Sequence, residues 1–375
     1  MTEASQHNLS ISKKNKKLIL AIFASFLLVA TIIAIVTGVN PQKKSTQNDA
    51  VHAKLVKSTF SKSAFSTTDH NRKLKEDDGS NEGGAEWSST DRLLFQLSSS
   101  TPPDVVVAAD GSGNYTTVSA AVSAAPSYSS KRYIIRIKAG VYRENVEVPK
   151  EKSNIMFLGD GRKTTIITGS RSVAGGSTTY QSATVAVEGQ GFLARDITFQ
   201  NTAGPSKYQA VALRVESDFA AFYKCTIDFI VGNAAAVFQD CDIQARRPNP
   251  GQTVTITAQG RSNPTQNTGI VIQKCRIGVT SDLHAVRSNF SAYLGRPWKE
   301  YARTVVMQSS ISDAIHPAGW NGLKGRFALN TLSFAEYENS GAGAETSRRV
   351  TWEGYKIITS ATEAQRFYCS QFHWW

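Results

Sequence analysis

The sequence predicts an all-β fold, a right-handed parallel β-helix, on three observations. The first is texture: from Asp104 onward, short β-rich runs alternate with clusters of Gly, Asn, Ser and Pro. The second is a repeat. Phe192-Leu-Ala-Arg-Asp-Ile197, Phe222-Tyr-Lys-Cys-Thr-Ile227, Phe238-Gln-Asp-Cys-Asp-Ile243, Ile272-Gln-Lys-Cys-Arg-Ile277 and Val306-Met-Gln-Ser-Ser-Ile311 each set an apolar residue five positions before an isoleucine. Those isoleucines lie 30, 16, 34 and 34 residues apart. Units recurring every ~20–50 residues mark solenoids, whose coils bury a shared core by stacking. The third is the scarcity of two-residue hairpin signals such as Asn-Gly, which the competing architecture, a β-sandwich, would need. The interval of 16 is the anomaly. It falls just before Asp228, where one coil is expected to be missing.

Taken in order, residues 1–17 form a basic tail with Lys13, Lys14, Lys16 and Lys17, a charge bias that keeps this end cytoplasmic. Leu18 to Val39 is an unbroken run of 22 apolar or small residues, long enough to cross a bilayer as a helix. Its length favours a signal anchor over a cleaved leader, and either one sends the remainder into the secretory route. Residues 40–100 are rich in Ser, Lys, Asp and Gly and read as a disordered stalk or pro-segment. Arg92-Leu-Leu94 near its end offers a protease site. Residues 101–375 are the folded body. It should hold one helix, Val118 to Ala125, ended by Pro126. Strands are expected at Tyr133–Ile137, Asn154–Leu158, Thr165–Thr168 and Ala183–Val187. A solenoid of this size is expected to be a monomer.

The net charge is +12, of which the first 99 residues carry +4 and the body +8. A basic body outside the cell points to an acidic partner. No basic helix with interleaved aromatics is present, so nucleic acid is set aside in favour of an acidic polysaccharide. Asn114-Tyr-Thr and Asn289-Phe-Ser are weak glycan-acceptor signals. The four cysteines, Cys225, Cys241, Cys275 and Cys369, permit two bridges in three connectivities. None has metal-ligand spacing and the histidines do not cluster with them, so neither a metal nor a cofactor is expected.

Candidate chemistry centres on Asp228-Phe-Ile-Val-Gly-Asn-Ala-Ala-Ala-Val-Phe-Gln-Asp-Cys241. A carboxylate at the lip of a buried strand is costly to desolvate unless something pairs with it. On these residues alone, Asp228 is either a turn residue or a chemical one. Gln209 places an amide in the otherwise apolar run Tyr208-Gln-Ala-Val-Ala-Leu-Arg214. In Tyr293-Leu-Gly-Arg-Pro-Trp298, Pro297 fixes the backbone between Arg296 and Trp298. Arginine grips a carboxylate at two points and an indole offers a flat face to a sugar ring, although a surface turn with a packing indole has the same sequence.

From about Asp104 to Trp352 the chain resembles the plant pectin methylesterases. The segments that carry the resemblance are Asp110-Gly-Ser-Gly-Asn-Tyr-Thr-Thr-Val118, Gly140-Val-Tyr-Arg-Glu144, Gly204-Pro-Ser-Lys-Tyr-Gln-Ala-Val-Ala-Leu-Arg214, Asp228-Phe-Ile-Val-Gly-Asn-Ala-Ala235, Leu294-Gly-Arg-Pro-Trp298, His316-Pro-Ala-Gly-Trp320 and Phe334-Ala-Glu-Tyr-Glu338. The resemblance implies a pectin-lyase-like solenoid with its site in a cleft. The implied reaction hydrolyses galacturonate methyl esters of pectin (homogalacturonan) to pectate and methanol, in the cell wall and without a cofactor. It makes Asp228 the nucleophile and Arg296 the group that holds Asp228 ionised and oriented, which lowers its pKa. Arg296, Trp298, Gln209 and Thr179 match substrate-binding positions, and Cys241 and Cys275 match a bridge between adjacent coils.

Two departures qualify this reading. Between Cys225 and Asp228 the family carries a further segment with a Gly-Tyr-Gln-Asp-Thr-Leu motif, whose Asp is the general acid and whose Gln steadies the oxyanion. Here Cys225-Thr-Ile runs straight into Asp228, which would also leave Cys225 a free buried thiol. Asp218 and Asp240 are poor substitutes in sequence. Turnover is therefore expected to be impaired. The alternatives are a non-catalytic pectin-binding relative or a shortened form arising from splicing or gene-model error. Residues 40–100 also lack the cysteines of the helical inhibitor domain that precedes many relatives.

Overall fold

Strands of the body pair in parallel, those within each sheet with a strand one coil before and one coil after, in a computed structural model that describes residues 102–323 and 325–367. They fall into a ten-stranded, a seven-stranded and a six-stranded sheet. From Tyr133–Ile137 to Ser310–Ile311 consecutive strands go to different sheets in rotation, while Val105–Val107 at one end and Ser333–Tyr337 and Tyr355–Ile357 at the other extend the ten-stranded sheet alone. Through the middle of the body the chain thus visits three faces per coil, and among the described residues no two strands pair as an antiparallel hairpin. This is the predicted parallel β-helix, and it excludes the sandwich.

The ladders show why the repeat was visible. Inward residues stack in register: Phe222 pairs with Phe238, Ile272 and Val306 along one sheet, and Ile227 pairs with Ile243, Ile277 and Ile311 along another. The rings of Phe222 and Phe238 lie 4.7 Å apart and 7° from parallel. One unit of the repeat was read two residues out of step. Ala194 pairs with Phe222, and Phe199, not Ile197, pairs with Ile227.

The interval of 16 residues is a complete coil of minimal length. Ala220–Tyr223, Thr226–Ile227 and Ile230–Gly232 supply one strand to each sheet. Only two residues turn each corner: Lys224-Cys225, Asp228-Phe229 and Asn233-Ala234. The stack is therefore unbroken, with Ile230 paired to Leu213 below and Thr257 above. Gly232, at φ +141°, is required here, because a Cβ would lie 1.9 Å from the Val215 carbonyl oxygen.

A further column explains the cysteines. At the corner between the ten- and seven-stranded sheets, Asp196, Lys224, Asp240, Lys274, Gln308 and Glu338 all adopt left-handed backbone, with φ between 45° and 56°. The residue after each points inward and stacks on the next coil. The Cys225 N–H donates to Cys241 Sγ (3.4 Å), Cys241 N–H to Cys275 Sγ (3.3 Å), and Cys275 N–H to Ser309 Oγ (3.1 Å). Cys225, Cys241 and Cys275 are all free and buried. The bridge between Cys241 and Cys275 is therefore not formed. The sulfurs of Cys241 and Cys275 each accept from the backbone N–H of the coil below, and the three thiols also contact one another along the column.

The helix forms at Val118–Ala124, capped by Thr117, whose hydroxyl accepts from the Ala120 N–H. Three of the expected strands are displaced slightly, to Ile155–Gly159, Thr165–Gly169 and Val185–Val187, while Tyr133–Ile137 is as read. Among the described residues no helix is long and apolar enough to cross a membrane. The basic tail, the apolar run 18–39, the stalk 40–100 and Cys369 lie outside the described residues.

Candidate active site

Asp228 occupies the corner between Thr226–Ile227 and Ile230–Gly232, so the short coil itself sets its position. Its carboxylate is 11% exposed and meets the coils on either side. From the coil below, the Asn201 N–H donates to Asp228 Oδ2 (3.3 Å). From the coil above, Arg246 Nε donates to the same oxygen (2.6 Å), while Arg246 Nη2 donates to Gln200 Oε1 (3.0 Å). Asp228 Oδ1 has no hydrogen-bond partner among the described residues.

The carboxylate opens into a cavity of about 600 Å³, a size suited to a small ligand or part of a polymer. Three arginines (Arg246, Arg247, Arg296) and two aspartates (Asp228, Asp282) line it, leaving it net basic. Gln209 lies on its exposed wall. Arg296 reaches it from strand Ala292–Pro297, where it stands level with Ala258 on the outward face of the six-stranded sheet.

Two expectations for this pair need correction. The ionic partner of Asp228 is Arg246, and the Arg296 guanidinium makes no ion pair or hydrogen bond with another described residue. The Asp228 carboxyl is moreover pushed above its ordinary value, because burial outweighs the pull of Arg246. Arg296 is lowered by burial alone. A half-buried guanidinium without an anion is a place where an anion is wanted.

The remaining candidates stand further off. Trp298 is half-buried beside the cavity, where it packs with Phe229 onto Ala183, Ala186, Val211, Val231 and Ala258. Thr179 does not line the cavity; its carbonyl accepts from Ser182 Oγ (2.8 Å). Neither Asp218 nor Asp240 lines it. Asp282 does, but hydrogen bonding from Thr280 and local backbone N–H groups holds it below its ordinary value, so it is a poor proton donor. No group of three or more metal-ligating side chains occurs among the described residues.

The sequence model of the Pectinesterase family matches residues 104–227 and 225–373. The chain belongs to the pectinesterase family. The two matched stretches meet at Cys225 to Ile227, immediately before Asp228. Pectinesterase 3 of Citrus sinensis is 63% identical over 326 residues, which cover 80% of this chain and 56% of that protein. The pectinesterase of Daucus carota is 64% identical over 295 residues, covering 72% of this chain and 92% of the relative. Among solved structures, the pectin methylesterase from carrot superposes with a TM-score of 0.65 at 63% identity, over 73% of this chain and 94% of that one. The pectin methylesterase from Aspergillus niger gives 0.56 at 27% identity, over 70% and 92%. The chain spans little more than half the length of the first citrus and Arabidopsis thaliana pectinesterases that it matches.

The family's sequence pattern led to Asp228, Gln209 and Arg296, which the fold gathers in one cavity. It did not lead to Arg246, in Ala245-Arg-Arg-Pro248. The available signal was its place at the end of the strand Asp242–Ala245, one coil after Asp228.

Proposed function

We propose that this pectinesterase homologue hydrolyses methyl esters of galacturonate in pectin, slowly, through Asp228. The observation that carries the reading is a clamped carboxylate with one unbonded oxygen, in the same basic cavity as a guanidinium without an anion. Arg296 takes an unesterified carboxylate of the chain and places a neighbouring ester over Asp228. Gln209 and the indole of Trp298 support the sugar backbone at the margin.

Asp228 Oδ1 attacks the ester carbonyl carbon. A bond forms to the acyl group, and methoxide leaves with a proton taken from water. A second water then attacks the resulting anhydride, giving galacturonate and restoring the aspartate. The net change is ester and water to carboxylate, methanol and one proton. Neither carboxyl group of the cavity is suited to protonate methoxide, Asp228 being the nucleophile and Asp282 being held below its ordinary value. The Gln–Asp segment that the resemblance leads one to expect does not stand between Cys225 and Asp228. A general acid is worth ~10²–10⁴-fold, and one oxyanion donor ~10²–10³-fold. The rate should fall well below that of full-length relatives.

Substrate capture is tested by Arg296→Gln. KM for methyl-esterified pectin is expected to rise about tenfold or more, as a charged hydrogen bond is worth ~1.5–3 kcal/mol. The alternative role, orienting Asp228, predicts loss of kcat at constant KM. The pH profile is a separate check. The nucleophile must be ionised, and burial raises Asp228, so the acid limb of methanol release should lie above the ordinary aspartate value. A limb at or below that value contradicts the assignment. The apolar run 18–39 is read as delivering the body to the secretory route and the cell wall; a fluorescent fusion retained in the cytosol would refute this.

A further inference from the structure

We propose that Arg246 is the positioning residue of this site, fixing Asp228 Oδ2 and leaving Oδ1 as the attacking atom. This deepens the esterase reading and rests on Asp228 being its nucleophile. The geometry spans three successive coils. Gln200, at the end of Thr198–Asn201, braces Arg246 Nη2 at 3.0 Å, and Arg246 Nε holds Asp228 Oδ2 at 2.6 Å. The Asn201 N–H meets the same oxygen. All the fixed donors thus fall on one oxygen, which makes the two carboxylate oxygens inequivalent. A bidentate clamp would occupy both and blunt the nucleophile.

Short corners make this arrangement possible. With only Asp228 and Phe229 between its strands, the corner cannot swing outward. The arginine that follows Ala245 on the next coil therefore lies directly against it. The other charged groups facing the carboxylate are Arg247, Asp282 and Arg296 across the cavity, and only Arg246 is in contact. Arg246 is 44% exposed, so replacing it should not disturb the core.

The test uses the full-length chain labelled with [¹³C]carboxyl aspartate, the Asp228 resonance being assigned by its absence in Asp228→Asn. Arg246→Gln is expected to move the Asp228 midpoint upward, because it removes the charge that opposes burial. Arg246→Lys should return the midpoint toward wild type, and Arg296→Gln should leave it in place. Methanol release by Arg246→Gln should show kcat reduced ~10²-fold with KM retained, the size of loss that misplacement of a reacting group brings. Gln200→Ala should give a smaller loss in the same direction. An Asp228 midpoint that ignores Arg246→Gln, or that moves with Arg296→Gln instead, overturns the proposal. The titration does not depend on turnover. Wild-type protein that releases no methanol would therefore overturn the esterase reading alone.

Discussion

Asp228→Asn is expected to reduce methanol release from methyl-esterified pectin to the uncatalysed background while leaving pectin binding intact. The amide keeps the shape of the carboxylate but has no lone-pair charge with which to open the ester, so the covalent route is closed. Binding survives because Arg296 and Gln209 are untouched. Stability gives an independent check on the same variant. A carboxyl raised by burial stabilises the fold when protonated, and that contribution is lost as pH rises through its folded-state titration. At neutral pH, wild type therefore carries the cost of a buried anion that Asp228→Asn lacks. Arg246, well exposed, is left solvated rather than stranded. The variant should melt no lower than wild type at pH 7, while being inactive. A variant with undiminished turnover would remove Asp228 from the chemistry.

The largest loss of stability is expected far from the cavity, at Glu336→Ala. Glu336 continues the inward ladder above Val306, at a position where other coils carry Phe or Ile. Its carboxylate accepts from Arg349 Nε (2.8 Å), Arg349 Nη2 (3.1 Å), Trp320 Nε1 (3.1 Å) and the Tyr355 hydroxyl (3.1 Å). Both members of the ion pair are only 2% exposed. Removing one partner of a buried pair leaves the other charge uncompensated, at a cost of ~3–5 kcal/mol. The denaturation midpoint should fall accordingly. Replacing the pair together by Glu336→Leu and Arg349→Met should be much milder, because neither charge is then left alone. If single and double variants lose the same stability, packing rather than charge explains the cluster. Methanol release per folded molecule should change little in either variant.

Much of this fold was legible because inward residues recur once per coil and must be apolar. Register was less so: Phe199 and Ile197 are both apolar, and only the ladder shows which faces Ile227. The short interval before Asp228 was visible as a number but not as a geometry. Sixteen residues suffice for three strands when every corner has two residues, and no local motif announces that. Arg246 lies at the same corner one coil on and contacts Asp228, whereas the resemblance pointed to Arg296, which stands on a strand two coils on. The cysteine spacing correctly placed Cys241 and Cys275 on adjacent coils. Spacing carries no information on which way a side chain turns within its column, and the sulfurs of Cys241 and Cys275 accept from backbone N–H groups.

The most direct test is a crystal structure of Asp228→Asn with a partially methyl-esterified galacturonate oligomer. The account predicts an ester carbonyl over the side chain of residue 228, an unesterified carboxylate on Arg296, and Arg246 still lodged between residue 228 and Gln200. An oligomer bound away from this cavity, or one whose carboxylate ignores Arg296 while Arg296 turns to residue 228, would contradict it.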